Sequence, residues 1–560
     1  MADTLKQLYW QRKQSLYTER SSFFSHWQEI SQNLLPRSGK FVVTDRNRGD
    51  KRFNSIYDNT ATRSLRVLAA GLMAGMTSPA RPWFRLATRD KQLMESSAVS
   101  QWLSENTETM RVIFNVSNTY RSLHSIYEEL GAFGTGAAFI LPDYDDVIRH
   151  YPLTVGEYAI AANDKGEIDT IAREYQMTVS QVVRQFGLKN TSTAVQSMFN
   201  QGRGLDQWVT VTHLVEPRAD RDPKMKDAKN MAFASCWFES GQSNDNQFLR
   251  ESGHKRFPCI VPRWAALNGD AYGTTCPGME ALGDIKQLQH GQLRKGQALD
   301  YMVKPPVQVP TSAKSHEIDT LPGGVSFVDG LNGGMKNAFD VRPDINAQLE
   351  DIRDVRERIR QTFYADLFLM LANDERSGIT AREVAERHEE KLLMLGPVLE
   401  RLHNELLKQF INITFDTMIE NGLVTPPPQE MQGQELTVDF VSMLAQAQRA
   451  VATQNIDRFV GSLGMIAQFK PDVLDKFDSD QWADAYADML GVDPKLIVAN
   501  DKIAIVRQQR AAAMQQQMQQ QQQLTAAQTA KTASQADTSG KNALTDVMQG
   551  LTGYTTGAPA

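Results

Sequence analysis

Cysteine is scarce in this 560-residue chain: only Cys236, Cys259 and Cys276 occur, an odd number with no CxxC pair. Neither a disulfide framework nor a thiolate zinc site is favoured, and a reducing compartment is expected. Long apolar runs are missing as well. The most apolar window, residues 65–76, contains Arg66 and falls far short of the ~20 residues a membrane span needs. No membrane contact is expected. Residues 1–35 carry Arg12, Lys13, Glu19 and Arg20 among apolar positions, which fits an amphipathic helix and not a signal peptide.

Signatures of catalysis are equally sparse. No GxxxxGK[ST] occurs: Gly39-Lys40 is followed by Phe41 and Gly540-Lys541 by Asn542, so no phosphate-cradling loop of a motor ATPase is encoded. The histidines show no HExxH spacing, and His388, beside Glu389 and Glu390, has no second ligand one turn on. GxSxG is absent too. Asp143, Asp145 and Asp146 could hold a hard cation, since clustered carboxylate oxygens suit calcium or magnesium; a solvated turn explains them more simply. Gly131, Gly134 and Gly136 follow a helix (123–130) and precede a strand (137–141), the reverse of a dinucleotide site, and read as a packing turn. Gly71 and Gly75 form a GxxxG pattern that in this setting means close helix packing. Neither a cofactor, a metal nor a catalytic residue is assigned.

What the chain does contain is an ordered succession of elements from residue 278 to 421. A helix over 278–302 has a narrow apolar stripe (Leu282, Ile285, Leu288, Leu293) and stops at Lys304-Pro305-Pro306. Short strands at 307–309 and 325–328 flank Pro322-Gly323-Gly324. A charged helix over 345–363 keeps a thin seam of Leu349, Ile352, Ile359 and Phe363. That helix is not expected to be a buried core element. Its charges, including Asp354 and Arg358 four residues apart, fit lateral packing against like helices, or one solvated helix of a bundle. Residues 365–378 read as a mobile polar loop ending in Asn373, Asp374, Glu375, Arg376, Ser377 and Gly378. Thr380-x-x-Glu383 then caps a helix running to Asn421, bent at Gly396-Pro397.

Before this region the pattern is mixed α/β, with helices at 60–77, 97–116 and 120–130 and a hairpin around Asn163-Asp164-Lys165-Gly166. Strands are expected at 208–215 and 232–238, and a short helix at 177–186 capped by Thr178 and closed by Gly187. After it, Pro426-Pro427-Pro428 marks a boundary, followed by helical segments at 442–469 and 471–498. From Gln508 the chain becomes rich in Gln, Ala, Thr and Ser; 507–524 can extend the preceding helix, and 525–560 is expected to be disordered.

Three stretches stand out: Asp58-Asn59-Thr60-Ala61-Thr62-Arg63 leading into LRVLAAGLMAGMTSPARPWFRL, Gly131-Ala132-Phe133-Gly134-Thr135-Gly136, and the NDKG hairpin before MTVSQVVRQFG. On these the chain resembles the portal, or head-to-tail connector, proteins of short-tailed bacteriophages. The resemblance rests also on Tyr272-Gly273 with Cys276-Pro277-Gly278, and on Gly378-Ile379-Thr380-Ala381-Arg382-Glu383-Val384. It spans roughly residues 5–500. It implies an α+β, mostly helical portal-type fold: a mixed α/β wing (1–277), a helical stem (278–302 and 345–364) and a small β-containing clip (303–344). A tunnel loop (365–378), a long kinked helix (379–424), a helical crown (425–507) and a Gln-rich tail (508–560) complete it.

The same resemblance implies a ring of twelve copies at one capsid vertex, assembled in the host cytoplasm and retained in the virion. Double-stranded DNA would pass through it without sequence preference. The implied partners are the terminase large subunit, tail adaptor and tail proteins, and the major capsid and scaffolding proteins. Asn373, Asp374, Glu375, Arg376 and Ser377 would form the tunnel loop, and Lys304, Val325 and Phe327 would make clip contacts. Lys286, Arg294, Arg353, Arg356 and Arg360 would line the stem channel. A net charge of −6 suits a conduit, because each phosphate neutralised by a basic wall adds affinity that must be broken before DNA can move. A metal-dependent nucleic-acid enzyme built on Asp143, Asp145 and Asp146, and an internal scaffold or capsid subunit, are the competing readings.

Overall fold

The computed structural model describes residues 5–46, 49, 52–90, 93–94, 96–225, 227–240, 248–267, 269–303, 307–308, 336–337, 345–373, 395–434, 436–441, 459–467, 469–470, 472–473, 477–490 and 500–535. It is a mixed helix and sheet protein. Helices α1 (Leu5–Asn33), α2 (Thr60–Met76), α3 (Ser97–Val116) and α4 (Thr119–Phe133) precede most of the strands.

A five-stranded antiparallel meander joins β4 (Tyr158–Ala162), β5 (Ile168–Thr178), β6 (Trp208–Pro217), β7 (Phe233–Glu239) and β8 (Arg250–His254). The β4–β5 turn is the expected hairpin. Asn163 Oδ1 accepts the Lys165 and Glu167 amides, and Gly166 takes φ +76, a conformation that costs glycine little. Successive residues of a strand face opposite sides, so Val211 and Leu214 of β6 look in opposite directions. Leu214 packs with Leu16 of α1, Ala159 and Ala172. Val211 packs with Trp237 and with Val182 and Phe186 of α5 (Val179–Phe186). Thr178 and Gln181 form a reciprocal capping box at the start of α5, and Gly187 ends it at φ +84, as the sequence predicts.

A three-stranded sheet, β3 (Val147–Leu153), β2 (Ala137–Asp143) and β9 (Cys259–Ile260), lies against α4 and the meander. The His213 ring joins the two sheets, stacked between Trp237 at 3.9 Å and Phe139 at 5.0 Å. Burial holds that imidazole well below its ordinary pKa, so it packs as a neutral aromatic ring.

One large core runs from α1 through α2, α3 and α4 into the C-terminal half of the described chain. The glycine motifs form the junction beneath it. Gly134 ends α4 at φ +77, and a Cβ there would lie 2.7 Å from the Gly273 carbonyl oxygen. A Cβ at Gly278 would lie 2.2 Å from the Ala132 carbonyl oxygen, while the Gly273 amide donates to Thr135 Oγ1 at 2.8 Å. GAFGTG and YG-CPG are therefore the two halves of one backbone-to-backbone contact.

Several elements differ from expectation. Residues 365–373 are not loop: α10 (Ala365–Asn373) is helical. Phe368 fills a slot in α2 where a Gly71 Cβ would lie 2.2 Å from its ring, so the apolar run is held as helix by packing. Tyr364, at φ +54, breaks the path between α10 and the preceding helix. Beyond the prolines, β12 (Leu436–Phe440) returns to pair with β1 (Phe84–Thr88), with Phe84 opposite Phe440 and Thr88 opposite Leu436. The described part of the long helix begins at Leu395, so the path into Gly396-Pro397, where the bend is expected, lies outside the described residues; within the described part a π-helix occurs at His403–Lys408. Helix α13 (Asn500–Gln535) extends past residue 524, so the first residues of the expected disordered tail are helical.

Candidate functional site

The helices expected to form a stem are α8 (Leu282–Val303) and α9 (Ile345–Thr362), which pack on each other; between them in sequence, β10 (Val307–Gln308) pairs antiparallel with β11 (Lys336–Asn337). The seam residues do not wait for another copy. Ile285 and Leu288 of α8, with Ile352, Val355 and Ile359 of α9 and Phe363 after it, are all buried in the chain's own core. The expectation that α9 stands outside any core fails on this face, because α2 and α8 cover the thin apolar stripe.

Burial then fades along the pair. No described residue of α8 beyond Gln289 is buried, and the helix ends on exposed Leu299, Met302 and Val303. In α9 no described residue before Ile352 is buried. The pair is thus rooted at one end and projects at the other, with charge around its flanks: Arg358 pairs with Asp354 and with Asp284, the latter at 3.1 Å.

A polar hub fixes the root. Gln289 Oε1 accepts the Tyr57 amide at 2.6 Å and the Asp58 amide at 2.8 Å, and its Nε2 donates to the Asp58 carbonyl at 2.8 Å. The Asp58 carboxylate, 5% exposed, accepts from Thr60 Oγ1 and the Thr60 amide, from Gln292 Nε2 at 2.9 Å, and from Arg356 Nη2 at 2.7 Å. Burial alone would raise this carboxyl, but the donors from Thr60 and Arg356 hold it below the ordinary carboxylate range. The start of the DNTATR motif is therefore the socket into which both stem helices are seated.

The stem cations expected along a channel fall in different settings. Arg356 is committed to Asp58, Lys286 pairs with Glu29 of α1 at 2.9 Å, and Arg360 pairs with Glu357 at 3.6 Å. Arg294 and Arg353 are exposed. Asn373 is the last residue of α10. Asp374, Glu375, Arg376 and Ser377, the Thr380–Glu383 cap, and the clip residues Lys304, Val325 and Phe327 lie outside the described residues. Asp143 is a turn former: its Oδ1 accepts the Asp145 and Asp146 amides at 3.0 and 3.1 Å, and Asp146 pairs with Arg149 at 3.7 Å. No three His, Cys, Asp or Glu side chains converge as a metal site among the described residues. None of the described helices is long and apolar enough to cross a membrane.

Sequence reasoning missed a second polar centre. Arg263, 3% exposed, meets the Glu405 carboxylate through Nη2 at 2.7 Å and Nε at 3.3 Å, while its own amide adds a third contact at 3.0 Å. Its remaining donors reach the carbonyls of Gly166 at 2.7 Å and Asp270 at 3.1 Å. A lone arginine in a Pro-Arg-Trp context gives no signal of this in sequence.

The site is thus a mixed fold carrying a helix pair rooted at one end and projecting at the other. A model of the family described as bacteriophage head to tail connecting protein matches residues 6–498. The chain is 59% identical over 554 residues, covering 99% of both sequences, to a probable portal protein of Bordetella phage BPP-1. It is 42% identical over 549 residues, covering 98% of both, to a portal protein of Salmonella phage epsilon15. The chain belongs to the bacteriophage head to tail connecting proteins, and its function is that of a phage portal protein, a component of the virion at the junction of head and tail. Among solved structures, a chain of the virion of a native gene transfer agent particle aligns over 83% of this chain and 98% of its own, with 11% identity and a TM-score of 0.36, a likeness too low to carry an argument.

Proposed function

We propose that copies of this chain close into a dodecameric ring whose stem helices surround a passage for double-stranded DNA. The observation that carries this reading is the loss of burial along α8 and α9. A helix pair rooted in a core at one end and bare at the other, ending on Leu299, Met302 and Val303, is covered economically by equivalent pairs of neighbouring copies. Arg294 and Arg353 are the stem cations best placed for brief contacts with phosphate, while Arg356 serves the fold.

Within this reading residues 1–277 form the wing, and β12 belongs to it through its ladder with β1. The far end of the stem, with the clip and Lys304, Val325 and Phe327, is the docking face for the terminase large subunit during packaging and for tail proteins afterwards. Residues 365–378 form the tunnel loop region, entered through the helix at 365–373. The wing meets the major capsid and scaffolding proteins. The role is structural and not enzymatic: Asp143, Asp145 and Asp146 shape a turn.

Electron microscopy of the purified full chain tests the proposal. Rings with a central hole wide enough for a duplex, and twelve-fold class averages, are expected; a monodisperse single subunit at high concentration would refute it. Duplex DNA incubated with the protein and magnesium should stay intact, and cleavage lost on Asp145→Ala would favour the enzymatic alternative.

A further inference from the structure

The long helix that leads from residue 395 to Glu420 contains a six-residue π-helix, His403–Lys408, followed by α11 (Gln409–Glu420). Neither proline nor glycine lies within 403–408. A π-turn closes its hydrogen bonds one residue further on than an α-turn, so it holds one residue of slack; such turns are rare and concentrate at functional sites. Here the slack lies between well-fixed elements. Leu402, Leu406 and Leu407 are fully buried below the turn. On the turn itself, the Glu405 carboxylate is gripped by the Arg263 guanidinium and amide, and the His403 ring lies flat on Phe440 of β12, 4.3 Å away and 6° from parallel. Arg263 is in turn held by the β4–β5 hairpin through Gly166.

We propose that this π-turn is a register switch, with the Arg263–Glu405 pair as its latch. In the latched state the slack sits at 403–408. When the latch opens, the slack moves toward the N-terminus, the turn relaxes to α-geometry, and residues 395–402 shift by one position relative to α11. One position on a helix is ~1.5 Å along the axis and ~100° about it. Because a packed core supports discrete arrangements in preference to continuous deformation, the slip has two end states. The wing is thereby coupled to the helix through Arg263, and the strand that precedes the C-terminal region is coupled through Phe440.

Hydrogen exchange on the assembled full chain tests this with three variants. Glu405→Gln keeps the shape of the side chain and removes its charge, weakening the contacts it accepts from Arg263 and from Arg401 one turn before it; amides of 395–408 should then exchange about tenfold faster. Deletion of Asn404, which is exposed, removes the extra residue, so that 395–420 becomes a plain α-helix with both flanks in their present register. That variant should fold and assemble. Adding the deletion to Glu405→Gln should then abolish the faster exchange, because no slack remains to move. The proposal is overturned if Glu405→Gln exchanges like the parent, if the deletion variant does not fold, or if the combined variant exchanges as fast as Glu405→Gln alone.

Discussion

The Arg356 guanidinium meets the Asp58 carboxylate at 2.7 Å across 298 residues of sequence. Asp58 is buried and receives donors from Thr60, Gln292 and Arg356 together, so removing its carboxylate strands several donors at once. Because Arg356 is itself 37% exposed, part of its charge is recovered by water, and the loss is smaller than for a fully buried pair. Asp58→Ala should lower stability by about 2 kcal/mol and Arg356→Met by about 1 kcal/mol, measured by denaturant unfolding. Equal, negligible effects of the two would mean that the hub does not seat the stem.

Glu129 of α4 is buried. Burial pushes its carboxyl up from 4.5 to about 7, against hydrogen bonds from Thr154 Oγ1 and the Val155 amide, and neighbouring Glu128 adds to the rise. The folded chain therefore binds this proton more tightly than the unfolded chain does. Its contribution favours the fold at low pH and is lost as pH rises from 4.5 through about 7. Glu129→Gln should be more stable than the parent at pH 8, and the difference should shrink by pH 5. Thermal unfolding at the two values reads this directly; a difference independent of pH would assign the effect to packing.

Much of residues 60–217 is legible in sequence because the signals there are local. The bounds 97–116 of α3, the Asn-Asp-Lys-Gly turn and the Thr178 cap each depend on residues within a few positions of one another. The pairing of β1 with β12 does not. Phe84–Thr88 and Leu436–Phe440 are short and far apart in sequence, so no turn or local pattern marks their pairing. Arg356 illustrates the same limit at the candidate site: helical periodicity places it on a charged face, but only tertiary structure shows that this part of the face meets Asp58. The exposed half of α9 was legible as charge; its buried half was not, because α2 supplies the cover.

Gly134 tests the junction between the two glycine motifs. An alanine there would adopt φ +77 and bring its Cβ within 2.7 Å of the Gly273 carbonyl oxygen, a backbone atom that cannot swing aside. Strain and overpacking together predict a loss of about 3 kcal/mol for Gly134→Ala, with reduced yield of folded protein. Gly166→Ala makes the control: its φ is +76 but nothing lies within 4 Å of its Cβ, so about 1 kcal/mol is expected. Similar losses at both positions would show that backbone conformation alone, and not close approach, requires the glycine in GAFGTG.

Gly71 and Phe368 supply a prediction whose size depends on background. In the parent, Gly71→Ala drives a Cβ to 2.2 Å from the Phe368 ring and 2.8 Å from its Cβ, an overlap expected to cost 1–3 kcal/mol, roughly, even after the helix gains alanine's better propensity. Phe368→Ala alone empties the slot and should cost about 3 kcal/mol. In that background the ring clash is gone and only the contact with the retained Cβ of residue 368, at 2.8 Å, persists; set against the propensity gain of about 1 kcal/mol, Gly71→Ala should then cost little. The double-mutant cycle, measured by denaturant unfolding, should therefore give a coupling of about 2 kcal/mol. Additive effects would mean that α10 is not held against α2 by this ring, and that the apolar run 365–373 owes its helical form to something else.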